Sequence, residues 1–227
     1  MAIPFMENLL AIEAEAKYLL PGKDRSQEQT LMQELLRIFK EAESLFGPRD
    51  TSYRLSIPRF SECASSRTLV LGPLWLARIF LSRDSRTKPW LASLELAHEA
   101  IHLISPVTFP TSLTILEEGL AESFAQNYVA RVHGYSFDNN IHSKTAAVMR
   151  AVSTLLAKNK FVIKDLRTRQ PVISRIDEKL LVEVAGIERS QAKFLCSDFQ
   201  SYWQPSPWGS AAQGVEHLAS YLRSIWK

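Results

Sequence analysis

Hydrophobic and polar positions repeat along this chain with two periods, and most of it carries the helical one. Residues 5–20 place Leu9, Ile12, Ala16, Leu19 and Leu20 on one helical face and stop at Pro21-Gly22. A second stripe of Leu31, Leu35, Ile38, Phe39 and Ala42 predicts a helix from Asp24 or Ser26 to about Phe46, ended by Gly47-Pro48. Together the two predict an antiparallel helical hairpin. Thr51 to Phe60 alternates with period two, and Pro58 restricts it to a sheet edge. Arg67 to Leu71 reads as a strand closed by Gly72-Pro73. Pro73 then suits the first turn of a short helix through Leu74, Trp75, Ala77, Ile79 and Phe80. Ser82 to Lys88 reads as a loop.

The clearest helices come next. Pro89 opens one that continues to Ile104 and stops at Ser105-Pro106. Thr114 and Glu117 form a capping box for a second, which runs to Val132 or His133 before Gly134. A helix is predicted from His142 to Lys158, with Phe161-Val162-Ile163 a strand or extended link behind it. Asp177 to Ala185 and Glu188 to Phe199 are two short helices broken at Gly186. Pro205, Pro207 and Gly209 mark a linker before a last helix, Ser210 to Trp226. The expected class is α+β, mostly α-helical, in a single domain over 1–227. Its parts are an N-terminal helical hairpin over 1–48, a core over 49–135 and a C-terminal helical subdomain over 136–227.

Composition narrows this picture only a little. A chain of 227 residues with 46% hydrophobic and 22% charged residues can bury a real core, which excludes disordered and collagen-like classes. The net charge of +3 does not by itself imply nucleic acid. Cys63 and Cys196 match no ligand spacing and build no disulfide framework, which points to a reducing compartment. The N-terminus has no basic signal region, and no apolar run reaches the roughly 20 residues needed to span a bilayer. A soluble, cytoplasmic protein is expected.

The chemistry lies in Leu96-Ala97-His98-Glu99-Ala100-Ile101-His102-Leu103-Ile104. Histidines four apart share one helical face and can point at one cation, with Glu99 placed to act on a metal-bound water. Downstream, Glu118 and Glu122 are also four apart, on a stripe continued by Ala125 and Val129. Carboxylates on an apolar stripe are costly unless something cationic meets them. Between Lys88 and Arg131 there is no lysine, arginine or aspartate, only Glu95, Glu99, Glu117, Glu118 and Glu122. Such a segment wants an external cation. A solvated acidic face accounts for Glu95 and Glu117 but not for the other three. The short, proline-containing turn between the two helices favours antiparallel packing, which lets the three side chains meet at one level.

His98-Glu99-x-x-His102 followed by Glu118-Gly119-Leu120-Ala121-Glu122 resembles the gluzincin group of zinc metallopeptidases. That group includes thermolysin-like enzymes and aminopeptidases carrying a Glu-Gly-x-Ala element. The likeness covers roughly residues 69–130. It implies a zincin-like core with a small β-sheet packed on the active-site helix, a Zn2+ cofactor and a peptide or protein substrate. His98, His102 and Glu118 would then be the zinc ligands, Glu99 the general base, and Glu122 the carboxylate that orients a ligand histidine. Strand Leu69–Leu71 would be the edge along which an extended peptide lies. The gap from His102 to Glu118 is shorter than in the best-known members, and Glu95 stands where the motif usually has a β-branched residue. Glu117 is therefore a rival third ligand, but the capping box already employs it. Among Tyr128, His133, Tyr135, His142 and Tyr202, Tyr135 is the favoured oxyanion donor; His217 is assigned to packing.

Two other readings compete. One is a metal-binding interaction module without activity. The other is a protease-like regulator whose basic stretch, Lys158, Lys160, Lys164, Arg167, Arg169 and Arg175 against only Asp165, contacts nucleic acid ahead of the helix pair at 177–199. A solvated linker explains that stretch more simply, so neither a nucleic-acid nor a membrane partner is expected. Trp203, Trp208 and Trp226 read as a satellite core.

Overall fold

The structure, a computed structural model, describes residues 25–71, 76–106, 112–135, 137 and 143–203. The first predicted helix, the Trp208 and Trp226 positions and the C-terminal helix lie outside the described residues. Helix α1 spans Arg25–Phe46. Strands β1 (Arg54–Leu55), β2 (Arg59–Phe60), β3 (Arg67–Leu71) and β4 (Leu76–Leu81) follow. After a 3-10 turn at Arg83–Thr87 come α2 (Pro89–Ile104) and α3 (Ile115–His133). Helices α4 (Ser143–Lys158), α5 (Val162–Arg169), α6 (Glu178–Ala185), α7 (Arg189–Leu195) and α8 (Phe199–Trp203) complete the order, with a 3-10 turn at Ile173–Arg175 between α5 and α6. The protein is thus a mostly helical α+β chain with a small four-stranded sheet. No described helix is long and apolar enough to cross a membrane.

Two units can be distinguished, one formed by the chain up to Thr108 with Phe124–Phe137, the other by Phe109–Ser123 with the chain from Asp138 onward. In the first, β3 runs antiparallel to β4 over Arg67↔Phe80 to Leu71↔Leu76. β1 and β2 both pair with β4 in parallel, at Arg54↔Leu76 and at Arg59↔Phe80. Since β3 takes one side of β4, β1 and β2 share the other as one interrupted edge. The register offset falls from 22 (76 minus 54) to 21 (80 minus 59), so the edge carries one extra residue around Pro58. The expected edge strand is there, but it pairs only at its two ends.

The helix expected through Leu74–Phe80 is strand β4 where it is described. Its burial alternates, with Ala77, Ile79 and Leu81 buried and Leu76, Arg78 and Phe80 half-buried. An unbroken apolar run fits either period, and pairing with β3 decides it. The segment expected as loop at Ser82–Lys88 holds the 3-10 turn, whose Ser85 hydroxyl donates to the Ser82 carbonyl at 2.7 Å. Ser82 N–H in turn donates to Glu95 at 2.8 Å, tying the turn to α2.

Helices α1 and α2 form the core of this unit, burying Leu35, Ile38, Phe39 and Ala42 against a helix whose Leu96, Ala97, Ala100, Ile101, Leu103 and Ile104 are all closed to solvent. Each fully buried aliphatic side chain of this size is worth about 1.5–3 kcal/mol. The carbonyls at the C-terminal end of α2 have no intrahelical donor. The Tyr53 hydroxyl bonds that of Leu103, and the Asp50 N–H bonds that of Ile104 at 2.9 Å. Burial holds the Tyr53 phenol well above its usual range, so it stays a donor. At the other end of α2, His133 meets Ser93 at 2.9 Å and Tyr135 stacks on Trp90. The C-terminal end of α3 therefore lies beside the start of α2, the antiparallel arrangement expected.

In the second unit Phe161-Val162-Ile163, expected as strand or link, opens α5, with Val162, Ile163 and Leu166 buried on one helical face. Asp177 caps α6 by accepting from Leu180 N–H at 2.7 Å, and Gly186 ends it at φ 58°. The helix expected over Glu188–Phe199 ends at Leu195 as α7, and α8 begins only at Phe199. Between them Asp198 pairs with Thr114 in an antiparallel bridge, with Ile115 N–H donating to Ser197 O and Phe199 N–H to Leu113 O, both at 2.9 Å. The C-terminal helices therefore fasten the residues that start α3.

Candidate metal centre

The half-open positions of α2, Trp90, Leu91, Leu94, Glu95, His98 and His102, form one stripe at helical spacing. Both histidines of the motif lie on it. Their Nε2 atoms are 3.2 Å apart and their rings meet edge-on, with centroids 5.0 Å apart at 68°. Four-residue spacing brings the rings to one level, and the buried flanks of α2 hold the helix against its neighbours.

α3 supplies the third group. Thr114 caps it as expected, its Oγ1 accepting from Glu117 N–H at 3.3 Å. Glu117 is closed to solvent and accepts from the Ser174 hydroxyl. The expectation that Glu117 belongs to a solvated acidic face is thus wrong: it is a buried structural carboxylate satisfied by a hydroxyl. Glu95 likewise has a structural partner in the Ser82 N–H. The next residue, Glu118, is half-buried, and His98, His102 and Glu118 offer ligand atoms that all lie within 4.8 Å of one another.

Gly119 explains how α3 can start where it does. It is buried, and a Cβ there would fall 2.6 Å from Val152 Cγ2 and 2.8 Å from Val148 Cγ1 on α4. β-branched side chains are stiff and cannot move aside cheaply. Gly119→Ala should therefore be destabilising, because overpacking of about 1–3 kcal/mol outweighs the roughly 1 kcal/mol that alanine gains over glycine in a helix. A lower thermal midpoint would show it; an unchanged or higher one would mean that α4 yields.

Glu99, next to His98 on α2, is buried at 6% exposure. Ser66 Oγ donates to its Oε1 at 2.9 Å and Thr68 Oγ1 to its Oε2 at 2.7 Å. The acid expected to want a cation has two neutral donors instead. Glu122 lies one turn beyond Glu118 on α3 and is half-buried.

The expected oxyanion donors fall elsewhere. Tyr128 is buried and donates to Glu34 at 2.8 Å, and burial, then Glu34, holds its phenol well above the usual range. Ser93 donates to the same carboxylate oxygen at 3.3 Å, and His133 meets that serine. Tyr135 lies flat on Trp90, with centroids 4.0 Å apart, and meets Phe137 edge-on. Trp90 precedes His98 by eight residues, about 12 Å along the helix axis, so Tyr135 is not brought to the histidines. An exposed tyrosine just past a helix end finds its apolar contact in the nearest ring. Tyr202 packs edge-on to Phe194; His142 and His217 lie outside the described residues.

Ser66 and Thr68 are the partners of Glu99 that motif reading missed, and their period-two spacing at the start of a strand was the available signal. Several cations of the basic stretch are engaged within the chain: Lys158 with Gly186 O, Arg167 with Pro171 O, and Arg169 with both Glu183 oxygens. A surface hollow of about 740 Å³ among Asp177, Lys179, Val182, Glu183 and Arg189 contains none of the three ligand residues. Cys196, whose thiol burial pushes up to about 11, donates to Ile176 O and stays protonated at neutral pH.

These residues fit a tetrahedral metal. Two nitrogens bound at about 2.0–2.1 Å in tetrahedral geometry stand roughly 3.3 Å apart, against the 3.2 Å between the histidine Nε2 atoms. A carboxylate as third donor completes a His-His-Glu set of the kind that leaves a fourth position open. The group can hold a metal ion. Comparison with protein-family models, curated protein sequences and solved structures finds no match to this chain.

Proposed function

We propose that this protein is a zinc-dependent metallopeptidase of the gluzincin kind, hydrolysing peptide bonds with Glu99 as general base. The observation that carries the reading is the convergence of His98, His102 and Glu118 on one point, with a fixed carboxylate, Glu99, on the residue after the first histidine. His98 and His102 would bind zinc through Nε2, and Glu118 through one carboxylate oxygen. Zinc so held supplies Lewis acidity that polarises a carbonyl and brings a water pKa to about 7. A Glu99 oxygen accepts the proton as water oxygen bonds to the carbonyl carbon. The same oxygen returns it to the leaving nitrogen as the C–N bond breaks, so Glu99 ends ionised as it began. Ser66 and Thr68 each occupy one lone pair of that carboxylate, leaving others for the water proton. Glu122, one turn from Glu118, would orient a ligand histidine. A peptide lying along β3 would pass close to Glu99, since Thr68 belongs to that strand.

A broad peptide library incubated with the zinc-loaded protein tests the reading. Cleavage should vanish on chelation and return when zinc is restored. Cleavage that survives chelation would remove the metal from the reaction, and no cleavage of any peptide or protein by zinc-loaded protein would favour the idle metal-binding module.

A further inference from the structure

We propose that Ser66 and Thr68 form a hydroxyl clamp that positions the Glu99 carboxylate, fixing the direction of its oxygens from strand β3. The activity arm of this inference rests on the metallopeptidase reading; the clamp itself does not. Ser66 immediately precedes β3 and Thr68 is its second residue, so side chains two apart project from one face of the extended chain. Both hydroxyls donate to the same buried carboxylate, one to each oxygen, at 2.9 and 2.7 Å. A carboxylate held by one donor can still swing about its last torsion, whereas one held at both oxygens cannot. The sequence around it holds no lysine or arginine from Pro89 to Ala130, and hydroxyls orient a carboxylate without neutralising it. A guanidinium there would fix Glu99 as well but would cancel the charge that makes it a base.

Ser66 and Thr68 act through Glu99 and are positioning residues. Misplacing a reacting group by an ångström can cost about 100-fold in rate, so Thr68→Val should lower kcat by roughly 10- to 100-fold. KM and zinc content should stay at wild-type values. Thr68→Ser, which keeps the hydroxyl, should restore kcat to within about threefold, and Ser66→Ala should act like Thr68→Val.

A double-mutant cycle read by thermal unfolding tests the clamp without any activity. Thr68→Val should lower the midpoint by roughly 3–8 °C when Glu99 is present and by almost nothing in a Glu99→Leu background, where no carboxylate remains to be held. An equal loss in both backgrounds would overturn the clamp. An unchanged kcat in Thr68→Val, or a Thr68→Ser variant as impaired as Thr68→Val, would overturn the positioning role. If the cycle shows coupling while zinc-loaded wild-type protein cleaves nothing, the clamp stands and the peptidase reading alone fails.

Discussion

Glu99→Gln should lower peptide hydrolysis by about 10²–10⁴-fold, the usual worth of a general base, while zinc content and thermal midpoint stay near wild type. The side chain is buried with a hydroxyl on each oxygen. Glutamine has the same shape, and a hydroxyl can donate to its oxygen and accept from its amide nitrogen. The fold and the neighbouring His98 should therefore be undisturbed, while the group that takes the water proton is gone. Loss of zinc along with activity would mean that Glu99 serves the site's structure. Activity within a few-fold of wild type would remove Glu99 from the reaction. Either result is read by elemental analysis beside an initial-rate assay on one preparation.

The adjacent glutamates on α3 should behave in opposite ways. Glu118→Ala should weaken zinc binding by at least about 100-fold, since even groups that merely support a ligand are worth 10–100-fold. Glu117→Ala should retain zinc and unfold at a lower temperature. Its carboxylate is closed to solvent and bonded by Ser174, and deleting one partner of a buried hydrogen bond costs about 1–3 kcal/mol. The contrast follows from side-chain direction alone: successive helical residues point about 100° apart. Glu117 is bonded by Ser174, whereas Glu118 is in the group with His98 and His102 that could hold a metal ion. A Glu117→Ala variant that loses zinc would exchange the two roles.

How much could be read beforehand depended on whether the information was local. Helices α1, α2 and α3 were legible to within a residue or two because caps and breakers mark their ends: Pro89 at the first turn of α2, Ser105-Pro106 after it, Thr114 before α3 and Gly47 after α1. The histidine pair was legible because spacing on one helix fixes which side chains are neighbours. Strand β4 was not, because Leu-Ala-Arg-Ile-Phe-Leu satisfies both periods and only pairing with β3 chooses between them. Nor was the break between α7 and α8, which is set by a bridge to Thr114 more than eighty residues away. The misplacement of Tyr135 has the same origin. Its loop position said nothing of the Trp90 ring on which it lies. Gly119 is a further case: within the Glu-Gly-Leu-Ala-Glu run it looked like part of a signature, and in the fold it is where α3 meets Val148 and Val152.

Within each unit, backbone and side-chain bonds from distant residues fix a helix end. Tyr53 and Asp50 close the C-terminal end of α2, and Ser197, Asp198 and Ser174 fix the start of α3. A metal ligand is useful only as far as its helix is held.

His98, His102 and Glu118 could together hold one metal ion. Calorimetric titration of zinc into metal-free protein tests it most directly, with wild type beside His98→Ala, His102→Ala and Glu118→Ala. Wild type should show one saturable site and each variant a loss of affinity of at least about 100-fold, with all four proteins folded by circular dichroism. Wild-type protein that takes up no zinc, or variants that bind it as tightly as wild type does, would contradict it.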